Sequence, residues 1–467
     1  MSSTLADEDE DLSQIGFFFI LISGLFALVI SVAVITRWDA KRNVPRAEKK
    51  NSSRSGSEED SELESRKKKT EKHRQKNVFR VKGKDPKKDL FAHPFLYATL
   101  RGHVGSVLDI DYGSNGKYLV STGDDRSLFL WNTKTFTSNE QNPSVSRVEL
   151  DTVTKLTFAP DSLSVVAALK GENKLAVYKM TKNQATHAVK LHLAESISFA
   201  SAHTLDINSV GIACNGKYLI SASSDNTIFV YGIHGEVLDR IETKLSTLYH
   251  AAVTPDGRFV AACGFVPDVF VFEVFFDRSG QFTEVKKAFS LKGHTAGVFS
   301  FAFNQDSTRA VTVSKDGTWL FYNTNIRYDL GEDAKVLKSG EWPILQSCEP
   351  SNVHVALSLS GKSVVIAADE HLYLVDTISS EHRISLIENV HQSPISAVRI
   401  SPCGDYFATC GDRIIRVFYN IPEQRSIISE LESINKETRN GSTKTRTEEN
   451  LETAKTKLRN CLHKETV

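Results

Sequence analysis

The segment Gly102–Asn132, GHVGSVLDIDYGSNGKYLVSTGDDRSLFLWN, decides how this chain folds. It opens on Gly102-His103 and closes at Trp131-Asn132, with three apolar runs (VLDI, KYLVS and LFLW) between. Ser114-Asn115-Gly116 and Gly123-Asp124-Asp125 separate those runs. Short apolar runs bounded by Gly, Asn, Asp and Ser predict strands and turns, not a helix. Three strands in about thirty residues make a meander that cannot bury both faces alone. Such a unit needs copies of itself.

The copies are present. Shifted by 100 residues, His103 falls on His203, Asn115-Gly116-Lys117-Tyr118-Leu119 on Asn215-Gly216-Lys217-Tyr218-Leu219, Asp125 on Asp225 and Trp131 on Tyr231. A third unit has His294, Asp316 and Tyr322; a fourth has His391, Asp412 and Phe418, with a His-to-Asp spacing of 21 instead of 22. Weaker copies at 156–180, 252–274 and 355–377 bring the number to seven. A period of roughly 40–55 residues is that of propeller blades. The pattern resembles the WD-repeat family and implies an all-β, seven-bladed WD-repeat β-propeller, with Trp kept only at Trp131.

Four polar sets recur with the blades: His103, Ser121, Asp125 and Trp131; His203, Ser221, Asp225 and Tyr231; His294, Thr312, Asp316 and Tyr322; His391, Thr409, Asp412 and Phe418. His, Ser and Asp together suggest a nucleophile, its base and an orienting acid. A hydrolase needs one such constellation, whereas equivalent copies at fixed spacing describe a lock on a turn. These sets are therefore read as structural tetrads, since buried polar groups persist only when paired.

The chain has 57 basic and 57 acidic side chains, but the zero net charge hides segregation. Residues 1–14 carry −5, the segment 36–90 carries +9, the repeats 91–420 carry −5 and the tail 421–467 carries +1. Residues 15–35, IGFFFILISGLFALVISVAVI, contain no charge. At 1.5 Å per residue they would span about 31 Å, the thickness of a bilayer's hydrocarbon core. The acidic leader and the length of the run argue against a cleaved signal peptide. The expectation is one N-terminal transmembrane helix. Arg37, Lys41, Arg42, Arg46, Lys49 and Lys50 follow it, which places that side in the cytosol and residues 1–14 in the lumen. The six cysteines show neither a C-x-x-C pair nor metal-ligand spacing.

Residues 36–90 read as a basic, disordered linker, too poor in apolar residues to repay the entropy of folding. Arg66, Lys67, Lys68, Lys69, Lys72, Arg74 and Lys76 form its most basic run. It is a spacer, a lipid-headgroup contact or an RNA contact, and its lack of interleaved aromatics gives no base-stacking platform. Phe95–Leu100 is the expected clasp: the last unit supplies only three strands, and a strand from the other end of the domain closes the ring. Beyond Pro422, Ile427, Ile428, Leu431 and Ile434 share one helical face, and Leu451, Ala454, Leu458 and Leu462 another. They predict a short helical tail over 421–467, a hairpin on the propeller rim.

No phosphate loop, H-E-x-x-H or nucleophile elbow is present. The expected protein is not an enzyme and uses no cofactor, metal or small-molecule substrate. The order of anchor, basic linker, propeller and tail, with NGKYLISASSDNTIFVY, PDGRFVAACGFVPDVFVFEV and FSLKGHTAGVFSFAFNQDSTRAVTVSKDGTW, resembles the transducin beta-like protein 2 family. Gly264-Phe265-Val266-Pro267-Asp268-Val269 and Ser314-Lys315-Asp316-Gly317-Thr318-Trp319 carry the more specific part of that resemblance, while Phe272 and Tyr322 stand where members tend to have Trp. It implies an endoplasmic-reticulum membrane protein of the unfolded-protein response. Its implied partners are the ER-stress kinase of the translation initiation factor eIF2-alpha and ribosomes or mRNA. The alternative is a membrane-held propeller that acts as exchange factor for a small GTPase in vesicle budding, but in that type the anchor follows the propeller.

Overall fold

Among the described residues, 28 strands form seven separate four-stranded antiparallel sheets. The structure is a computed structural model and describes residues 91–138, 141–183, 188–342, 348–378, 384–437 and 441–462. The expected acidic leader 1–14, anchor 15–35 and linker 36–90, with its basic run 66–76, lie outside the described residues. Among the described residues no helix is long and apolar enough to cross a membrane.

Each sheet is one blade. Blade 1 is built from Val107–Tyr112, Tyr118–Gly123, Ser127–Asn132 and Ser144–Arg147, in that order from the innermost strand outward. Its second and third strands are buried throughout except at their ends, because neighbouring blades cover both faces. Strands covered on both sides read as continuous apolar runs instead of alternating ones. Outermost strands such as Lys335–Glu341 alternate and face solvent. The apolar core is accordingly divided. Seven buried clusters each join two adjacent blades, for example Leu128, Leu130, Val165 and Tyr178 between blades 1 and 2.

Blade 7 is composite. Ala397–Ile400, Tyr406–Cys410 and Ile414–Tyr419 are completed by Leu96–Arg101, which pairs antiparallel with Ile414–Tyr419 in the register Leu100 to Ile415. The expected clasp is thus the closing strand, displaced by one residue from Phe95–Leu100. Closure leaves no blade with a missing edge strand, the feature that templates aggregation. Two more bonds seal the seam: Ser396 Oγ donates to the Val107 carbonyl (2.7 Å), and Val107 N–H donates to the Asp412 carbonyl (2.9 Å). Ahead of the strand, the Phe91 ring lies under the Arg416 guanidinium at 5.3 Å and edge-on to Phe418.

The tail forms two helices, α1 (Ile421–Glu437) and α2 (Gly441–Leu462), and α1 packs on the strands of blade 6. The side chains buried in α1 lie in its first turns and include polar ones. Glu423 accepts hydrogen bonds from Ser360 Oγ (2.5 Å) and Ser363 Oγ (3.0 Å), Gln424 donates to Asp405 (2.8 Å), and Ser426 donates to Asp376 (2.7 Å). Docking is therefore specified by polar pairs at the start of α1. The apolar stripe anticipated further along is only half-covered, and Ile434 is 42 % exposed.

Leu100 is 1 % exposed, so Leu100→Ala is expected to cost about 2–5 kcal/mol, read as a lower urea midpoint. Ile434→Ala should change it by no more than about 0.5 kcal/mol. Removing 95–100 should abolish the cooperative transition; a compact ring surviving that deletion would refute the closing role.

Candidate interaction surface and central channel

Each polar set sits where the chain passes from an outermost strand into the next blade. In the first, Trp131 Nε1–H donates to Ser121 Oγ (2.9 Å), and Ser121 Oγ lies 2.8 Å from His103 Nε2. His103 Nδ1 lies 3.1 Å from the Asp125 carboxylate, which also accepts the Val104 N–H (2.9 Å). A carboxylate only accepts, so His103 carries its proton on Nδ1 and the Ser121 hydroxyl donates to Nε2. Every group is used, and none is left to attack a substrate. His203 repeats this with Asp225 (3.2 Å) and Ser221 (2.7 Å), with Tyr231 Oη 3.3 Å from Ser221 Oγ. His294 repeats it with Asp316 (3.1 Å) and Thr312 (2.7 Å), but Tyr322 Oη donates instead to the Lys292 carbonyl (3.1 Å).

The fourth set is built differently. His391 lies 3.0 Å from Asp412 and 2.9 Å from Thr409, but Phe418 has no polar atom to offer. Arg416, 2 % exposed, places Nη1 2.9 Å from His391 Nδ1 and 3.3 Å from Asp412. Strand register explains the exchange. Arg416 faces Thr409 across the sheet, the place held by Phe129 opposite Ser121 and by Phe229 opposite Ser221. Phe129 and Phe229 pack against their histidines, at 4.1 and 4.9 Å between ring centroids. In blade 7 the Trp position offers no donor, and an arginine at the Phe position reaches the His391–Asp412 pair. The sequence signal was a lone charge in the apolar run IIRVFY.

Burial pushes the Asp125 and Asp412 carboxyls up, but the hydrogen bonds from His103 and Ser127, and from His391, hold both well below the usual range. For Asp316 burial is likewise outweighed, by Thr318, and its pKa falls to about 2. Burial pushes the His203 and His294 imidazoles below the ordinary value, against the pull of Asp225 and Asp316.

The locks hold one rim of the ring, here called the upper face, and some of the exposed apolar side chains stand on it, others such as Leu163 and Leu330 lying on the opposite turns. Val104 and Leu205 stand one and two residues past a lock histidine, at 71 % and 51 % exposed, and Phe265 on the turn of blade 4 is 62 % exposed. Phe265, Pro267, Thr295, Ala296 and Lys315 line a cleft of about 430 Å³ between blades 4 and 5. Gly264 is required there, because a Cβ would lie 1.9 Å from the Thr247 carbonyl oxygen.

The innermost strands surround a channel and present one residue each at a common level: Asp109, Lys155, Ser209, His250, Ser300, His354 and Ala397. Neighbouring blades are separate sheets, so the edges of these strands lack backbone partners and side chains supply them. Asp109 accepts the Leu156 N–H (3.0 Å), Asp111 that of Phe158 (2.8 Å), Ser209 that of Ala251 (3.1 Å) and Ser300 that of Val355 (3.3 Å). Arg399 lies 3.6 Å from Asp109 and 3.7 Å from Asp111. Burial pushes the Asp111 carboxyl up to about 6 although Arg399 draws it down. Among the described residues, no cluster of three or more His, Cys, Asp or Glu could hold a metal.

The WD domain, G-beta repeat model matches residues 95–132, 195–232, 285–323 and 384–418, the four units that carry the locks. Over 443 residues, covering 94 % of this chain and 96 % of each relative, the chain is 36 % identical to transducin beta-like protein 2 of Homo sapiens and of Mus musculus. The chain belongs to the transducin beta-like protein 2 family. Actin-interacting protein 1 of Drosophila melanogaster is more distant, 23 % identical over half of this chain. The transducin beta-like protein 2 relatives extend through the three lock-free blades, which the repeat model passes over. WD-repeat propellers of this kind are typically non-enzymatic binding scaffolds.

Two outcomes are expected. Phe418→Trp with Arg416→Phe should rebuild the ordinary lock in blade 7, so the double variant should exceed the summed effects of the singles by about 0.5–3 kcal/mol; strict additivity in urea unfolding would count against the exchange. Acid should destabilise the ring in two stages. Below the ordinary histidine value of 6.5, the unfolded state binds protons that His203 and His294 refuse when folded. Below the ordinary value of 3.8, the unfolded state likewise protonates before Asp316 does. Asp111, raised to about 6, opposes this below pH 6, but it is one group against four imidazoles held below their ordinary value, His203, His294, His250 and His354. Tm should therefore fall between pH 7 and 5, and a rise over that interval would contradict this.

Proposed function

We propose that the protein is a protein-binding scaffold held on the cytosolic side of the endoplasmic-reticulum membrane, acting in the ER-stress response and in translational control. The observation that carries the binding role is the cleft between blades 4 and 5. Its walls come from Phe265 and Pro267 on one side and Lys315 on the other. These belong to the two segments on which the resemblance to the family is most specific. An exposed aromatic beside a lysine, on a rim kept rigid by the locks, suits a protein partner with an apolar anchor and a nearby acid. The uncharged run 15–35 and the basic residues after it support the anchor and its orientation. By resemblance, the partners are the eIF2-alpha kinase of the ER-stress pathway and ribosomes or mRNA. The basic run 66–76 is the candidate RNA or lipid contact.

Quantitative affinity purification of the full-length protein from stressed cells tests the cleft. Phe265→Asp with Lys315→Glu should reduce recovery of the kinase or of ribosomes at least about tenfold, the loss expected from a central contact, while leaving Tm unchanged. Full recovery of both would remove the cleft from the reading. Protease treatment of intact microsomes should digest the propeller, with no glycosidase-sensitive mass at Asn51 or Asn440. A protected propeller with sugar on Asn440 would place it in the lumen and overturn the cytosolic assignment.

A further inference from the structure

The channel holds basic side chains that ring closure does not use. Asp109, Asp111, Ser209 and Ser300 are committed to backbone N–H groups of the next blade. Lys155 is not: its side chain makes no ion pair or hydrogen bond among the described residues. His354 Nε2 is buried and has no hydrogen-bond partner among the described residues. His250 reaches Ser209 through Nδ1 (3.2 Å), and Arg399 answers the two aspartates at 3.6–3.7 Å, longer than a direct charged hydrogen bond. Lys155, His250, His354 and Arg399 come from blades 2, 4, 6 and 7 and line one cavity of about 650 Å³. His354 is held by the Ser351 backbone through its other nitrogen, so a lysine ammonium and one imidazole nitrogen are left unmatched in the channel, which is costly for the buried one unless something binds there.

We propose that this cavity binds a small soluble anion carrying more than one phosphate group, with Lys155 and His354 as its principal contacts and His250 and Arg399 beside them. The volume is that of an ordinary ligand pocket. Asp109 and Asp111 are held by backbone N–H groups and face Arg399, so the Lys155 ammonium has no ion-pair partner of its own among the described residues. The charged groups that line the cavity with the imidazoles are Lys155, Lys170 and Arg399, and Asp109, Asp206 and Glu349. Burial, reinforced by Arg399 and Lys155, keeps His250 and His354 neutral in the empty cavity, His250 down to about 3. A bound polyanion favours their protonation, so binding takes up protons and tightens as the pH falls.

Calorimetric titration of the full-length protein with inorganic pyrophosphate and with myo-inositol hexakisphosphate tests this. One saturable site is expected, with affinity rising from pH 8 to pH 6. Lys155→Met and His354→Leu should each weaken it at least about tenfold, a lost charged contact, without lowering Tm in the absence of ligand. Should either variant fail to fold, the pH series on the unaltered protein decides. No saturable site, or affinity indifferent to pH, overturns the proposal. So does binding that survives both substitutions and disappears when the basic run 66–76 is neutralised. Binding only to phosphatidylcholine vesicles containing phosphatidylinositol 4,5-bisphosphate, and to neither soluble probe, would assign the phosphate contact to a membrane surface and also overturn it.

Discussion

The pairing of Leu96–Arg101 with Ile414–Tyr419 is the contact on which the rest of the ring depends. The blades are separate sheets joined by side-chain packing, so no backbone ladder runs around the ring. Without the fourth strand of blade 7, the cluster of Ala98, Leu100, Val107, Ile110 and Ile415 would be opened to water. Bringing the two segments together costs loop entropy that grows only slowly with separation. The seam bond from Ser396 to Val107 nevertheless bridges 289 residues, and such a contact forms late and slowly. Blades can assemble with their neighbours first, and closure then makes the whole cooperative.

The locks follow the ring's odd number. They mark the entries to blades 1, 3, 5 and 7, so alternation brings two of them side by side at the seam. The lock of blade 1 fixes the chain as it leaves the closing strand, and the lock of blade 7 fixes the blade that receives it. The intervening blades use other devices. Asp151 caps Gly171 in blade 2 (2.8 Å), and Asp369 takes Asn352 (3.1 Å) and Cys348 (3.3 Å) in blade 6. Blade 4 has the backbone bond that the locked blades also make, Phe265 to Thr247 (3.0 Å) as Asp124 to Ser106 (3.0 Å) in blade 1, and Gly264 leaves the room for it.

The seven units, the closing strand and the helical tail were all legible in the chain, because turn residues and apolar runs recur at a fixed interval and the last unit lacks a strand. The lock residues were legible for the same reason: His103 and Asp125 are informative only because His203 and Asp225 repeat them. Arg416 was not, since its role depends on lying opposite Thr409 in a strand whose neighbouring aromatic, Phe418, has lost its donor. The channel level was hidden more deeply. Lys155, His250 and His354 each occur once, in blades of weak similarity, and meet only because seven inner strands converge. The polar docking of α1 escaped as well, because Glu423 and Ser426 read as ordinary first-turn residues until Ser360, Ser363 and Asp376 face them.

The packing of Phe91 beneath Arg416 has a mechanical consequence. The chain ahead of Phe91 leads straight into the closing strand, so tension on that side arrives at the outermost strand of blade 7. An antiparallel edge strand pulled from one end peels one pair at a time, a weak geometry for bearing load. Phe91 lies in that line of force, clamped between the Arg416 guanidinium and the Phe418 ring, with Phe95 held edge-on by His93 at 4.8 Å. The aromatic clamp acts as strain relief. It stands ahead of the first rung of the closing strand, so a pull on the leading segment meets these ring contacts before that rung.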